Sequence, residues 1–301
     1  MGAGELADEF GIPGLLRFED TPEGLVKAIL TPPGAEADLY LQGAQLTHWG
    51  IAGEKPVLFT SSRSAFAPGR AIRGGVPIVF PWFGPHPTDT AAPQHGFARV
   101  APWHVHWVRR SGPGEVQMML CLDSDDVGRP AAWPEGFRIL YAVTVGRRLW
   151  LDLIVDNRSD HAITFECALH SYFAVSDIGA VSLAGLGGQS LIDKVDGGRR
   201  KRQDTGPMRF AGPIDSVYLS TPDRCTIRDP LWGRRIEITK RGAASTIVWN
   251  PWRAMADLGE ADWKSMLCVE TGNVADNAIR LPPGGPQLLM STLIEVGPEA
   301  S

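Results

Sequence analysis

A histidine, a glutamate, two arginines and a glutamine in four separate stretches of the chain are of types that bind or move charge. In the strand-like run Ala162–Tyr172, His170 shares a face with Thr164, Glu166, Ala168 and Tyr172, while Ile163, Phe165, Cys167 and Leu169 form the opposite, core-facing side. His170 is therefore expected to point away from the main core, toward a polar concavity. Glu270 ends the apolar run Leu267–Val269 and precedes Thr271-Gly272, where a carboxylate is costly unless it is paired or functional. Arg73 follows Ile72 and precedes Gly74-Gly75 and the apolar stretch Val76–Phe80. A guanidinium in such company must find an anion or a carboxylate, and the paired glycines let backbone approach something closely. Gln94, His95 and Arg99 fall within six residues beside Gly96 and Phe97, a polar patch of the kind that a rigid β scaffold presents on a loop. Taken singly, a structural ion pair, a solvated turn and structural His and Glu residues account for these features too. The spacing alone does not bring the groups together.

Other constellations carry less. His104-x-His106 puts two imidazoles on one strand face, but no third ligand stands at a convincing spacing, so no metal site is expected. There is no GxSxG, no phosphate-binding Gly-rich loop ending in Lys-Ser/Thr, and no GxGxxG between a strand and a helix. The run Arg199-Arg200-Lys201-Arg202 reads as a solvated loop.

The elements that must position these residues are strands. Phe137–Val145 and Leu149–Val155 flank Gly146-Arg147-Arg148 as a hairpin. In the second strand Leu149, Leu151, Leu153 and Val155 share one face. Gly24–Leu30, Ala37–Ile51 (interrupted at Gly43), Arg234–Lys240, Ser245–Trp249, Met266–Glu270 and Leu288–Val296 read alike, and the best helix candidate is a short one over Met255–Trp263. With 34 glycines and 24 prolines among 301 residues, the chain predicts a large antiparallel β-sandwich or barrel. The length alone would suggest about two domains.

Charge and composition exclude several classes of function. The chain carries 29 Lys and Arg against 34 Asp and Glu, a net charge of −5, whereas a domain that coats nucleic acid is normally basic. Met1–Ile12 holds Glu5, Asp8 and Glu9 and no apolar segment of the secretory kind, and no run approaches the length of a membrane span. Cys121, Cys167, Cys225 and Cys268 lie far apart, and three of them sit inside apolar runs as small buried hydrophobes do.

Seven segments, in order along the chain, resemble the aldose 1-epimerase (galactose mutarotase-like) superfamily, and within it the glucose-6-phosphate 1-epimerase branch. They are Gly43–Trp49, Ile72–Ile78, Pro93–Arg99, Leu169–Phe173, Ile214-Asp215 with Val217-Tyr218, Val248–Trp252, and Cys268–Glu270. The resemblance spans residues 15–295. It implies an all-β fold, a single-domain β-supersandwich of two large antiparallel sheets with sugar bound in a cleft on one of them. By motif, His170 resembles the general acid and Glu270 the general base, while Arg73, Gln94, Arg99 and Asp215 resemble substrate-binding residues, with His95 beside them. Trp49, Trp249 and Trp252 lie in the motif segments and Trp82 just beyond one of them, and all four suit sugar-ring stacking or cleft walls. The chain departs from the family at Ser216, where a basic residue is common.

The implied reaction interconverts the α and β anomers of a hexose 6-phosphate and needs no cofactor. Arg73 and Arg99 are the candidates for the phosphate. The expected partner is a small-molecule sugar phosphate, with no nucleic acid and no membrane, and a monomer in the cytoplasm fits best. A mutarotase for free sugars, a non-catalytic carbohydrate-binding protein on the same fold and a purely structural sandwich are the alternatives.

Overall fold

The computed structural model describes residues 1–299. Nearly all regular structure is antiparallel sheet, as the turn-rich, strand-rich sequence predicts. A nine-stranded sheet runs in the order Met208–Arg209, Ser182–Ala184, Arg224–Asp229, Arg234–Arg241, Leu288–Pro298, Leu149–Asn157, Phe137–Val145, Glu115–Asp123, His104–Gly112. An eight-stranded sheet runs Arg199–Arg202, Ser190–Asp193, Ile214–Tyr218, Ser245–Asn250, Met266–Asn273, Cys167–Leu169, Ile78–Val79, with Tyr172–Ala174 also paired to Met266–Asn273. A four-stranded sheet, Leu16–Asp20 through Gln45–Ile51, and the pair Ile163–Phe165 with Ile279–Leu281 complete the β structure.

The hydrophobic core joins the two large sheets. Leu149, Leu151, Leu153 and Val155 from one, and Cys167, Leu169, Val248, Leu267 and Val269 from the other, belong to one buried cluster. Alternation then dictates the rest. With Val248, Leu267 and Val269 turned to the core, Ile247, Trp249, Cys268 and Glu270 must face outward from the eight-stranded sheet. That outer face carries a second, small apolar cluster of Val79, Ala168, Val217, Ile247 and Val274.

The hairpin through Gly146–Arg148 forms as expected, with Val145 opposite Leu149. All four cysteines are free and buried. Three sequence expectations change. Met255–Trp263 is not a helix: Met255 and Leu258 exchange backbone hydrogen bonds in a tight turn, and a single 3-10 turn follows at Asp262–Ser265. The basic run Arg199–Arg202 is not a loop but an edge strand, paired in register with Ser190–Asp193 and exposed throughout. Charged side chains on an edge discourage further strand pairing. The run Ala162–Tyr172 is not one strand. It breaks into Ile163–Phe165 and Cys167–Leu169, and Tyr172–Ala174 follows, so that the segment changes partners from Ile279–Leu281 to Met266–Asn273. The break after Leu169 leaves His170 between two short strands, tied by its own N–H to the Pro77 carbonyl. Among the described residues no helix is long and apolar enough to cross a membrane.

Candidate active site

Arg73, Gln94, His95, Arg99, His170, Asp215 and Glu270 all line one cleft of 460 Å³ on the outer face of the eight-stranded sheet. The ladder explains how residues far apart in sequence meet. Asp215 lies opposite Trp249, Trp249 opposite Cys268, and Cys268 opposite Tyr172. One step along, Val217, Ile247 and Glu270 form the next row on the same face. The two rows thus carry the carboxylates of Asp215 and Glu270 into one concavity.

His170 and Glu270 form the centre. His170 Nε2 stands 3.3 Å from Glu270 Oε1, and their side chains are 7% and 1% exposed. His170 Nδ1 and both carboxylate oxygens of Glu270 are buried with no hydrogen-bond partner, an unspent bonding capacity that is rare among buried polar groups. Burial pushes the Glu270 carboxyl well above the usual carboxylate range. Asp215 adds to that push and Lys194 opposes it. Burial also holds His170 well below the usual imidazole range, with His95, Arg73 and Arg99 acting in the same direction. Both shifts favour the uncharged forms, the carboxylic acid of Glu270 and the neutral imidazole of His170.

The loop carrying Gln94 and His95 is fixed from below. Gly96 takes φ +74° where its Cα lies against the Phe80 carbonyl, a place with no room for a Cβ. Trp82 Nε1 donates to the Pro93 carbonyl, and the Gly84 N–H donates to His95 Nδ1. The proton of a neutral His95 therefore resides on Nε2. Burial, with the charges of Arg99, Lys194 and Arg73, pushes His95 down to about 3, so it is neutral at physiological pH. Arg99 donates through Nη2 to the Gln94 carbonyl, and its buried Nε has no partner.

Arg73 finds a carboxylate. Nε and Nη2 both donate to Asp257 Oδ2, at 2.9 and 2.6 Å, and Nη1 donates to the Tyr172 hydroxyl at 3.0 Å. The two roles that its sequence context left open, an ion pair and a place in the cleft, are thus both realised. Glu166, on the His170 face, is structural: it accepts from the N–H groups of Phe83 and Ala275. Of the four tryptophans expected at the cleft, only Trp249 lines it. Trp49 is in the core, donating to the Gly146 carbonyl. Trp82 is buried beneath the loop, and Trp252 packs on Trp263 at 5.0 Å. Each of these three rings finds apolar surface elsewhere. Ser216 points to the other side of its strand, into a neighbouring hollow with Asp193 and Tyr218, so the departure there lies outside the cleft. Phe83, Lys194 and Met255 also line the cleft and carry no local signature. Lys194 comes into view only through the ladder, its N–H donating to the Asp215 carbonyl. His104 and His106 gather no metal-binding group, since among the described residues no cluster of three potential ligands occurs. His104 lies 3.5 Å from Asp126 instead.

The large antiparallel sheets, with a polar cleft on one of them, are those of the galactose mutarotase-like fold. The chain belongs to the aldose 1-epimerase family, whose profile matches residues 28–286. A protein of Cenchrus ciliaris named "Putative glucose-6-phosphate 1-epimerase" is 35% identical over 280 residues, 88% of this chain and 83% of that protein. An Escherichia coli (strain K12) protein of the same name is 34% identical over 252 residues, 82% of this chain and 83% of its own. The crystal structure of a "putative mutarotase (YeaD)" from Salmonella typhimurium superposes with a TM-score of 0.88 at 30% identity, covering 96% of each chain.

Proposed function

We propose that this epimerase is a hexose-6-phosphate mutarotase, with glucose 6-phosphate as its substrate, Glu270 as general base and His170 as general acid. The observation that carries the reading is the buried His170–Glu270 couple in the same cleft as the cationic side chains of Arg73, Arg99 and Lys194. Ring opening requires removal of the proton on the C1 hydroxyl and delivery of a proton to the ring oxygen. In these roles Glu270 starts as carboxylate and His170 as imidazolium, against the directions in which burial pushes them, and a substrate phosphate beside the arginines offsets the positive charges that hold His170 down. The C1–O5 bond breaks, O1 becomes the aldehyde oxygen, and O5 becomes the C5 hydroxyl. Rotation about C1–C2 presents the other face of the aldehyde. On reclosure His170 takes the proton from the C5 hydroxyl and Glu270 returns one to O1. No electrons leave or enter, so two proton sites suffice. Each positioned acid or base contributes about 10²–10⁴-fold. Asp215 and Gln94 hold sugar hydroxyls and fix the orientation, and arginine forks match phosphate oxygens.

One observation favours the neutral-sugar alternative: Asp257 already offsets the charge of Arg73. Anomer exchange measured by NMR on glucose and on glucose 6-phosphate separates the readings. A higher kcat/KM on the phosphorylated sugar supports the proposal, and equal values on both would overturn the phosphate assignment.

A further inference from the structure

We propose that Lys194 is a specificity-determining residue, which together with Arg99 holds the phosphate of the substrate, while Arg73 is charge-matched within the protein. This rests on the hexose-phosphate reading above and assigns its anion seat to particular side chains.

The argument is a count of uncommitted charge in the cleft. A phosphate monoester carries a charge of about −1.5 to −2 near neutral pH, so it calls for about two free cations. Arg73 does not supply one in full. Its Nε and Nη2 both go to Asp257 Oδ2, and Nη1 goes to Tyr172. Side-on, the edge with which an arginine grips an oxyanion in two bonds is already filled by a carboxylate. Arg99 is different. Only a backbone carbonyl, that of Gln94, engages its guanidinium, and its buried Nε has no partner. Lys194 is different as well. Among the described residues its ammonium makes no hydrogen bond and no ion pair closer than 4 Å. Its neighbour Asp193 is held by Lys201 at 2.7 Å.

Geometry places the two free cations around one stretch of cleft wall. The Lys194 ammonium sits 4.3 Å from the centre of the Phe83 ring. The same ring meets the His95 ring edge-on at 4.8 Å, and His95 follows Gln94, whose carbonyl anchors Arg99. Both cations act on His95, and both line the cleft that holds His170 and Glu270. The backbone of Lys194 is tied to Asp215, so its position follows from the same ladder that sets the sugar-binding carboxylate. The side chain itself is exposed at the cleft rim, free to swing onto a ligand as a compact point charge.

The test uses inorganic phosphate as probe, followed by calorimetry or by shifts of histidine NMR signals in the cleft, alongside kinetics on glucose and glucose 6-phosphate. For Lys194→Gln, the phosphate Kd and the KM for glucose 6-phosphate are both expected to rise about tenfold, the loss of one charge-assisted contact, while KM for glucose stays within twofold. Lys194→Arg keeps the charge and restores both values to within about threefold. Asp257→Asn frees Arg73 and tightens phosphate binding. A phosphate Kd unchanged in Lys194→Gln overturns the proposal, as does a loss of equal size on glucose. Wild-type protein that binds phosphate through Lys194 yet exchanges no anomers would leave this assignment standing and sink the mutarotase reading instead.

Discussion

The imidazole of His170 lies flat on the ring of Tyr172, with 4.7 Å between centroids and 9° between planes. The hydroxyl of that same tyrosine accepts from Arg73 Nη1. The proposed acid is therefore held in orientation by a side chain that also braces a cation of the cleft. Tyr172→Phe keeps the stack and removes the brace, and because Asp257 still holds and charge-matches Arg73, kcat and the KM for glucose 6-phosphate, read from NMR anomer exchange, are each expected within threefold of wild type. Tyr172→Ala removes a fully buried ring and costs about 3–5 kcal/mol of stability, read from chemical denaturation.

Glu270→Gln and His170→Asn each leave the shape of the cleft and remove one proton site. Each is expected to slow anomer exchange by at least about 10²-fold, with the double variant losing much less than the product of the two because they act as a unit. Full rates in either variant, by NMR exchange at neutral pH, would remove that residue from the mechanism.

Glu270 is also expected to cost stability. Burial raises its carboxyl well above the ordinary range, so the folded state binds the proton more tightly than the unfolded chain, where the value is about 4.3. Stability contributed by such a group falls as pH rises from the unfolded value toward the folded one. Glu270→Gln removes that dependence. The Tm of the variant minus that of wild type is expected to grow between about pH 4.5 and pH 7.5. A constant or shrinking difference by thermal scans would show that the carboxylate is better compensated in the folded protein than its surroundings indicate.

Gly96→Ala tests the loop beneath His95. With φ at +74° and the Phe80 carbonyl against its Cα, an added methyl meets backbone that cannot yield, and a loss of about 2 kcal/mol or more is expected. Because His95 and Gln94 sit on the same turn, activity falls with stability. Retained stability together with retained rate would mean that the loop can shift without disturbing the cleft.

Much of this protein is legible along the chain because period-two alternation is a local property. Leu149–Val155 announces its buried face, and the alternation in Ala162–Tyr172 puts Cys167 and Leu169 in the core and His170 opposite them, as the structure has it. The same logic places Glu270 opposite Val269. Resemblance in seven short segments then points to the family without any contact being known. Local pattern is weaker where a segment has no period of its own. Met255–Trp263 has a composition compatible with a helix, but its path is set by the Met255–Leu258 turn and by Asp262, which accepts from Ser61 and Ser62 some 200 positions away.

What the sequence by itself determined is the kind of residue available and, where a strand alternates as around His170, the face on which a residue stands, since both follow from side-chain chemistry and strand geometry. Only the tertiary structure decided which of these residues share a cleft and which charges remain unspent. Asp257 reaches Arg73 across 184 positions, and Lys194 stands over Phe83. Such pairings depend on strand order and register across the sheet, which no window of neighbouring residues encodes.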